Sequence, residues 1–293
     1  MTEICEDRVV VVTGAGQGLG REHALALAAE GARVVVNDLG EAAKAVAEEI
    51  TANGGTAVAD LGDVSDWAYA EALVARAVGE FGTLDALVNN AGINRDRMLV
   101  SMTEVEWDQV LRVNLKGHAA PLRHAAAYWR ERSKQGSPVA ARIVNTSSGA
   151  GLLGSVGQGN YGAAKAGIAA LTVTAAVELS RYGVTVNAIA PSARTSMTEA
   201  VEAFADKMRV PEQGFDVMHP GNVSPLVVWL ASVDAGDVTG RVFESEGGVI
   251  SIADGWQHGP REVRDRRWNP AEIGPAVRSL IDRARVPAPV YGA

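Results

Sequence analysis

The sequence predicts an α/β protein: a single doubly wound domain with a seven-stranded parallel sheet and helices on both faces. The apolar run Arg8-Val-Val-Val-Val-Thr13 is typical of a parallel strand that is buried on both sides. A glycine-rich stretch, residues 14–20, follows it directly. Further apolar segments of strand length alternate with helical segments, which indicates parallel strands joined by helices. The strands are expected at about 8–12, 32–37, 56–59, 84–88, 141–146, 184–190 and 241–244.

The first strand and the glycines after it form a unit of the kind that holds a dinucleotide, so we expect a Rossmann domain. The turn Gly14-Ala-Gly-Gln-Gly-Leu-Gly20 lets the backbone approach a pyrophosphate. The helix predicted over residues 21–30 offers unpaired N–H groups at its N-terminus, and a second strand follows it. The residues of the turn expected to contact the cofactor are Gly14, Gly18, Leu19 and Gly20.

The second strand ends at Asp38, which predicts a preference for NAD over NADP. A carboxylate at this place can accept hydrogen bonds from both ribose hydroxyls of NAD, and it repels the additional phosphate of NADP. No arginine or lysine stands at Gln17 or Leu39, where a cation would support NADP binding. We therefore expect NAD as the cofactor.

Tyr161 and Lys165, in the stretch Asn160-Tyr-Gly-Ala-Ala-Lys165, are candidates for acid–base chemistry. Residues four apart on a helix share a face, so the lysine ammonium can lie beside the phenol. A positive charge about 4 Å away, at an effective dielectric near 20, is worth roughly 4 kcal/mol. That energy would lower a tyrosine pKa from about 10 to roughly 7, where the phenol can exchange a proton. Alone, the pair is also compatible with an exposed tyrosine beside a solvated lysine.

Five motifs, the glycine turn among them, lie in a definite order along the chain. They are Thr13-Gly14-x-x-x-Gly18-x-Gly20, Gly62-Asp-Val64, Asn89-Asn-Ala-Gly92, Val113-Asn-Leu-Lys-Gly117 and Ser148, which precedes Tyr161 by 13 residues. Together they resemble the motifs of the short-chain dehydrogenase/reductase family, and the resemblance covers about residues 8–255. A set of motifs in the right order is far more specific than any one of them.

The resemblance implies a role for each catalytic candidate. Tyr161 would be the general acid/base, and Lys165 would lower its pKa and bind the nicotinamide ribose. Ser148 would hold the substrate oxygen where charge develops, and Asn114 would anchor a water that links Lys165 to solvent. Taken singly, Ser148 is also compatible with a strand-end hydroxyl that satisfies backbone, and Asn114 with capping inside a helix.

The resemblance also implies further cofactor contacts. Asp63 would touch the adenine, Asn90 would pack beside the cofactor and fix the central sheet, and Thr195 would bind the carboxamide. The expected contacts outside the glycine turn are Asp38, Asp63, Val64, Asn90, Ala91, Gly92, Tyr161, Lys165, Pro191 and Thr195. Ser192 replaces the family's usual glycine after Pro191 and lacks its freedom at positive φ, so the usual turn geometry is not assured there.

The 293 residues suit one α/β domain over residues 1–255 and a C-terminal extension over residues 256–293. By the resemblance, residues 196–221 would form a lid, whose methionines and phenylalanines suit an acyl or ring-like ligand. A pair of surface helices is the other interpretation of this segment. In the extension, acids interrupt the basic run 261–268, which favours a solvated or subunit-contacting tail over a site for a coenzyme A phosphate.

Composition excludes several function classes. A net charge of −8 argues against nucleic-acid binding. The five histidines and the single cysteine, Cys5, show no metal-ligand spacing, and one cysteine rules out an intramolecular disulfide and fits a reducing cytoplasm. The first seven residues carry three acids and no apolar core, so no signal peptide is expected. The longest weakly polar run, residues 166–177, is too short to span a membrane.

Two predicted helices, over about 104–132 and 161–181, have alanine-rich faces. In the family that the chain resembles, such faces form a contact between subunits, which implies a homodimer or homotetramer. Packing of the same faces on the sheet is the alternative.

The sequence thus predicts a cytoplasmic, NAD-dependent oxidoreductase that transfers hydride between a secondary alcohol or ketone and nicotinamide. The stretches Val36-Asn-Asp-Leu-Gly40, Gly92-Ile-Asn-Arg-Asp-Arg-Met98 and Arg194-Thr-Ser-Met-Thr198 resemble the (3R)-hydroxyacyl-CoA dehydrogenase part of multifunctional β-oxidation proteins, and bacterial relatives from steroid breakdown. A 3-hydroxyacyl-CoA or hydroxysteroid-derived substrate is therefore expected. The alternatives are a reductase of 3-oxoacyl groups or other ketones, and a redox-inactive NAD-binding sensor.

Overall fold

The computed structural model describes residues 3–195, 197, 208–253 and 255–292. The strands are β1 (Val9–Thr13), β2 (Arg33–Asp38), β3 (Thr56–Leu61), β4 (Ala86–Asn89), β5 (Ala141–Thr146), β6 (Val184–Ser192), β7 (Val242–Glu246) and β8 (Val249–Ile252). They form one sheet in the order β3-β2-β1-β4-β5-β6-β7-β8. Strands β1 to β7 are parallel to one another.

The predicted count of seven strands is wrong for the described residues, because β8 adds an eighth strand antiparallel to β7. The chain reverses between the two strands through Gly247, which has a φ of 55°, a conformation that favours glycine. The side chains of β8 are exposed, so this strand lacks the buried apolar pattern of the parallel strands.

Helices cover both faces of the sheet, which confirms the predicted doubly wound α/β fold. They are α1 (Gly18–Ala29), α2 (Ala42–Ala52), α3 (Trp67–Phe81), α4 (Glu104–Val110), α5 (Gly117–Lys134), α6 (Gly149–Leu153), α7 (Gly159–Leu179), α8 (Ser224–Ala231) and α9 (Pro270–Arg283). Buried residues of α1, α2 and α8 form one core with Val10 and Val12, while those of α3, α5 and α7 form the other with Val9 and Val11. Alternate side chains of β1 therefore enter opposite cores, which explains its uninterrupted run of valines.

The helix predicted over residues 104–132 is interrupted. A π-helical segment, Leu111–Lys116, lies between α4 and α5. Its residue Asn114 is fully buried. The Asn114 amide group bonds the backbone of Ile93 instead of facing solvent. Such wide turns occur frequently at functional sites, because they re-aim a side chain without ending the helix.

The sheet places the predicted site at one edge. β1 lies between β2 and β4: the connection after β1 runs to β2 on one side, and the connection after β3 crosses to β4 on the other. Connections that diverge in this way open a crevice at the carboxyl ends of the strands. Gly14, Asp38, Asn90 and Ser148 all follow or end a strand at this edge.

Among the described residues, Gly159–Tyr182 is long and apolar enough to cross a membrane by length and composition alone. This segment is α7 with the short turn after it, and the sequence predicted no span there. Core helices pass the same test, and the buried residues of α7 pack into the core beneath β5 and β6. The ionisable residue Lys165, which is buried, also lies within this segment.

Candidate active site

The glycine turn after β1 is held against the end of β4. Gly14 has a φ of 62°, and a side chain there would lie 2.7 Å from Cα of Ala91, so only glycine fits. Asn90 joins the two segments, since its Nδ2 donates to the carbonyl oxygens of Thr13 and Gly14 at 3.1 Å each. A side chain at Gly20 would overlap the Gly14 carbonyl oxygen. The turn therefore presents backbone to the crevice.

Helix α1 begins at Gly18, three residues earlier than the sequence predicted. The N-cap residue Gln17 makes no side-chain cap bond to the described residues, so the first N–H groups and the positive end of the helix dipole are available at the carboxyl end of β1. The point where a Gly18 side chain would start lies 3.7 Å from the methyl group of Thr195, while Leu19 packs on the core. This cradle of free N–H groups, without a side chain at Gly18, fits a pyrophosphate.

Asp38 ends β2 with its carboxylate beside the glycine turn. Its Oδ2 accepts a hydrogen bond from the N–H of Gly16 at 2.9 Å, and its Oδ1 accepts one from the N–H of Gly40 at 3.2 Å. Each carboxylate oxygen can accept a further bond, so two ribose hydroxyls can donate to it. The next residue, Leu39, is exposed and brings no positive charge.

Asp63, after β3, is more strongly paired than the sequence indicated. Its Oδ1 accepts hydrogen bonds from the Ser65 hydroxyl at 2.6 Å and the Ser65 N–H at 2.9 Å, and its Oδ2 accepts one from Arg112 at 2.6 Å. Desolvation raises the pKa of Asp63, but the bonds from Ser65 and Arg112 outweigh it and hold the pKa below its ordinary value. The adjacent Val64 is buried in the core. The carboxylate thus stays charged as an acceptor at the edge of the crevice.

Ser148, Tyr161 and Lys165 lie together beyond the end of β5. Ser148 is the N-cap of α6, and its Oγ accepts a hydrogen bond from the N–H of Ala150 at 3.2 Å. Tyr161 and Lys165 are in the first turns of α7, with the lysine Nζ 5.5 Å from the centre of the tyrosine ring. The Ser148 side chain is close enough to the Tyr161 phenol to act on its pKa. The structure therefore brings the three predicted side chains into one cluster.

Close packing of α6 on α7 holds this cluster together. A side chain at Gly151 would start 2.6 Å from both the backbone nitrogen of Ala166 and the carbonyl carbon of Lys165. The backbones of the two helices therefore approach each other more closely than any larger residue allows. This approach places Ser148, at the start of α6, beside Tyr161 at the start of α7.

Lys165 is buried and anchored from both sides by residues that the sequence analysis did not single out. Its Nζ donates to the carbonyl oxygen of Thr146 at 2.7 Å, and its own carbonyl oxygen accepts a bond from the Ser147 hydroxyl at 2.9 Å. Burial lowers the pKa of Lys165 to about 7. The only signal in the sequence was the position of Ser147 next to Ser148.

The predicted fall in the pKa of Tyr161 is wrong. Desolvation by burial raises its pKa to about 12, against an opposing effect of the hydrogen bond with Ser148. The lysine Nζ lies over the ring and donates to Thr146 rather than to the phenol. The sequence argument allowed for the attraction of the charge but not for the loss of water around both groups.

The lowered pKa of Lys165 predicts how stability depends on pH. An unfolded lysine has a pKa of 10.5, so between about pH 7 and 10 the unfolded chain binds a proton that the folded chain lacks. The free energy of unfolding should therefore rise with pH by up to about 1.4 kcal/mol per pH unit in this window. The stability gained in this way is lost again as the pH falls to 7. In Lys165→Met the rise should be absent.

Denaturant unfolding at pH 7, 8 and 9 measures this difference. Lys134→Met is the matched control, because Lys134 is exposed at the end of α5 and should leave the pH dependence unchanged. Equal pH slopes for the wild type and Lys165→Met would show that Lys165 keeps an ordinary pKa in the folded protein.

Asn114 and Lys165 both lie close to Gly92, so Asn114 is near the lysine side chain. Its Nδ2 donates to the carbonyl oxygens of Ile93 at 2.9 Å and Val110 at 3.0 Å, and its Oδ1 accepts from the N–H of Ile93 at 3.2 Å. A side chain at Gly92 would start 2.5 Å from Asn114 Oδ1 and 3.7 Å from Lys165 Nζ. Asn114 and Lys165 thus flank the same glycine, as the predicted link between them requires.

Ser192 does not disturb the end of β6. The strand continues through Pro191 and Ser192, and Ser192 pairs with Glu246 of β7 without adopting a positive φ. The sequence predicted a turn at this point because it ended the strand at residue 190. An extended conformation suits serine as well as glycine, so the substitution is accommodated.

The predicted lid, residues 196–221, lies partly outside the described residues, including position 196 and positions 198–207. Within the described part, Met208 and Met218 are buried and Phe215 is exposed. Arg194 fixes the position of residues 208–221 in two ways. Its guanidinium group pairs with Asp216, and its backbone N–H donates to the carbonyl oxygen of Met218 at 2.7 Å. Closure over a substrate stays a prediction.

Three features occur together: the strand order, the glycine turn at the start of α1, and the cluster of Ser148, Tyr161 and Lys165. Together they define an oxidoreductase that uses a nucleotide cofactor and acts on CH–OH groups. The chain belongs to the short chain dehydrogenase family, whose model matches residues 8–206. The resemblance predicted from the motifs is confirmed.

Three relatives refine the comparison. A crystal structure of a short chain dehydrogenase from Mycobacterium avium is 60% identical, with a TM-score of 0.92 over 99% of this chain and 100% of that one. Hydroxyacyl-CoA dehydrogenase ChsB1 of Mycobacterium tuberculosis (strain ATCC 25618 / H37Rv) is 48% identical over 94% of this chain and 88% of that protein. The peroxisomal hydratase-dehydrogenase-epimerase of Saccharomyces cerevisiae is 42% identical over 84% of this chain, which spans 26% of that protein.

Proposed function

We propose that this chain is an NAD-dependent dehydrogenase whose substrates are 3-hydroxyacyl-CoA thioesters, including those with a steroid-derived acyl group. The observation that carries the proposal is the cluster of Ser148, Tyr161 and Lys165 at the sheet edge that also holds the glycine cradle and Asp38. Similarity over most of its length to a protein named hydroxyacyl-CoA dehydrogenase supports the substrate class.

The side chains of the cluster divide the work of moving a proton. The Ser148 hydroxyl donates to the substrate oxygen, and Tyr161 takes the proton of the substrate hydroxyl. Lys165 exchanges that proton with solvent through a water anchored by Asn114. Its pKa of about 7 allows it to gain and lose a proton at neutral pH. The bound cofactor supplies the hydride acceptor and, in its oxidised form, a positive charge that opposes the raised pKa of Tyr161.

Formation of NADH with a panel of (3R)-hydroxyacyl-CoA thioesters of increasing acyl size tests the substrate class. We expect turnover of several members, and a strong loss for the corresponding hydroxy acids without coenzyme A. The (3S) thioesters serve as the control for stereochemistry. Lack of NADH formation with every (3R) thioester at every chain length would refute this substrate class.

The carboxylate of Asp38 predicts the choice of cofactor. In the double variant Asp38→Ala/Leu39→Arg, the repulsion of the NADP phosphate is removed and a cation is added beside it. We expect kcat/KM to rise at least about tenfold with NADP⁺ and to fall about tenfold with NAD⁺. Steady-state kinetics with both cofactors measure the change.

Leu39→Ala is the matched control for this variant, because it alters the same exposed position without adding a charge. It should keep the wild-type preference for NAD⁺. A wild type that uses NADP⁺ as well as NAD⁺ would contradict the role given to Asp38.

A homodimer is the assembly that we propose for this enzyme. Val173 and Val177 lie one helical turn apart near the C-terminal end of α7 and are 48% and 76% exposed, so they form an apolar strip that a second copy could cover. Light scattering coupled to size exclusion should give at least twice the mass of the chain. Val177→Asp should reduce that mass, and a monomeric wild type at micromolar concentration would refute the proposal.

A further inference from the structure

The end of the C-terminal extension returns to the loop that joins α6 and α7. The N–H of Val156 donates to the carbonyl oxygen of Tyr291 at 2.9 Å, and the N–H of Tyr291 donates to the carbonyl oxygen of Gly154 at 3.2 Å. Ser155 and Tyr291 form a parallel β-bridge. The two backbone hydrogen bonds and the β-bridge show that this segment is docked on the loop. The sequence analysis predicted a solvated or subunit-contacting tail instead.

This docking brings Tyr291 next to the catalytic cluster. A side chain at Gly149 would start 2.9 Å from both the hydroxyl oxygen and Cε2 of Tyr291. Gly149 directly follows Ser148, the residue proposed to hold the substrate oxygen. Val290 also lies against the loop, with Cγ1 3.4 Å from the corresponding point at Gly154.

The same loop also contacts residues 97–99, which include the apolar side chains Met98 and Leu99. The N–H of Arg97 donates to the carbonyl oxygen of Gly157 at 2.7 Å, and Leu99 lies 3.3 Å from the point where a Gly159 side chain would start. Gly159 is two residues before Tyr161. Leu99 is nonetheless 70% exposed, so its side chain stays available to a ligand.

Exposed apolar side chains therefore flank Ser148 and Tyr161 from two distant parts of the chain. Leu99 lies near Gly159, and Tyr291 lies near Gly149; Val156 and Tyr291 are 47% and 41% exposed. Apolar groups left open beside reactive side chains are typical of a site that covers an apolar ligand.

We propose that Val290 and Tyr291 form one wall of the substrate site, and that this wall contacts the body of a bulky, apolar acyl group. The inference rests on the proposed function and specifies its substrate: an acyl chain or ring system large enough to extend past Gly149. A short acyl group reaches Ser148 and Tyr161 without touching the wall. The extension thus selects substrates by size, although most of it lies far from the catalytic residues in sequence.

Kinetics of tail variants test the wall. In Tyr291→Ala and in a chain that ends at Pro289, kcat/KM should fall at least about tenfold for a long-chain or steroid-derived 3-hydroxyacyl-CoA. For 3-hydroxybutyryl-CoA it should stay within about twofold, and the Kd for NADH should not change. Val286→Ala is the control, because Val286 is 85% exposed in the same extension. An equal effect on long and short substrates, or none on either, would overturn the proposal.

Hydrogen exchange separates this proposal from the substrate assignment. The amides of Val156 and Tyr291 should be protected in the wild type, and the Val156 amide should lose protection in the shortened chain. If no thioester were turned over, the proposed function would fail while protection still reported the docked tail. Rapid exchange of both wild-type amides would overturn the wall whatever the substrate.

Discussion

Replacing Tyr161 by phenylalanine is expected to lower kcat by about 10³-fold with little change in NADH binding. The substitution removes the hydroxyl that exchanges the substrate proton and keeps the ring that packs below Lys165. Pre-steady-state formation of NADH and a fluorescence titration with NADH measure the two quantities. The fold should be unaffected, since the variant loses one oxygen atom.

Tyr182→Phe is the matched control, because Tyr182 follows α7 at its far end and should leave turnover unchanged. Normal turnover by Tyr161→Phe would remove the tyrosine from the mechanism. Wild-type protein that binds NADH tightly but reduces no NAD⁺ with any alcohol would favour the NAD-binding sensor considered from the sequence.

Replacing Gly151 by alanine is expected to disrupt the site through packing. The added methyl group would lie 2.6 Å from the backbone of α7 at Lys165 and Ala166, a distance that only movement of a helix can relieve. Overpacking of this kind costs about 1–3 kcal/mol of stability. Displacement of α6 also moves Ser148 away from Tyr161, and a shift near 1 Å is enough to lower kcat/KM about 10²-fold.

Gly79→Ala provides the matched control for this substitution. Gly79 lies in α3, and nothing stands within 4 Å of the place where its side chain would start. That variant should be as stable as the wild type or slightly more stable, since alanine favours helices over glycine by about 1 kcal/mol. Wild-type stability and activity in Gly151→Ala would show that the spacing of α6 and α7 does not control the site.

The parts of the fold that the sequence predicted are those governed by local pattern. The valines of β1 alternate between two cores, the glycines after it face the neighbouring strand closely, and Asp38 ends the next strand. The spacing of Tyr161 and Lys165 by one helical turn placed them together for the same reason. Each of these features was predicted from residues within a few positions of one another, although the contact of Gly14 with Ala91 joins distant parts of the chain.

The features that the sequence did not predict depend on distant contacts or on burial. The π-helical segment follows from bonds between Asn114 and Ile93, 21 positions apart. The contact of Tyr291 with Gly149 joins residues that lie far apart in the sequence, and no pattern of apolar residues predicts it. The pKa of Tyr161 rises because water is lost around the phenol, which a spacing of four residues does not reveal.

A crystal structure with NAD⁺ and an unreactive 3-hydroxyacyl-CoA analogue tests the central claim most directly, because it measures distances at the reacting atoms. We predict that the substrate oxygen lies within about 3.2 Å of both Tyr161 Oη and Ser148 Oγ, with the nicotinamide ring against the substrate carbon. A substrate oxygen held elsewhere, or a nicotinamide ring that faces away from Tyr161, would contradict the account.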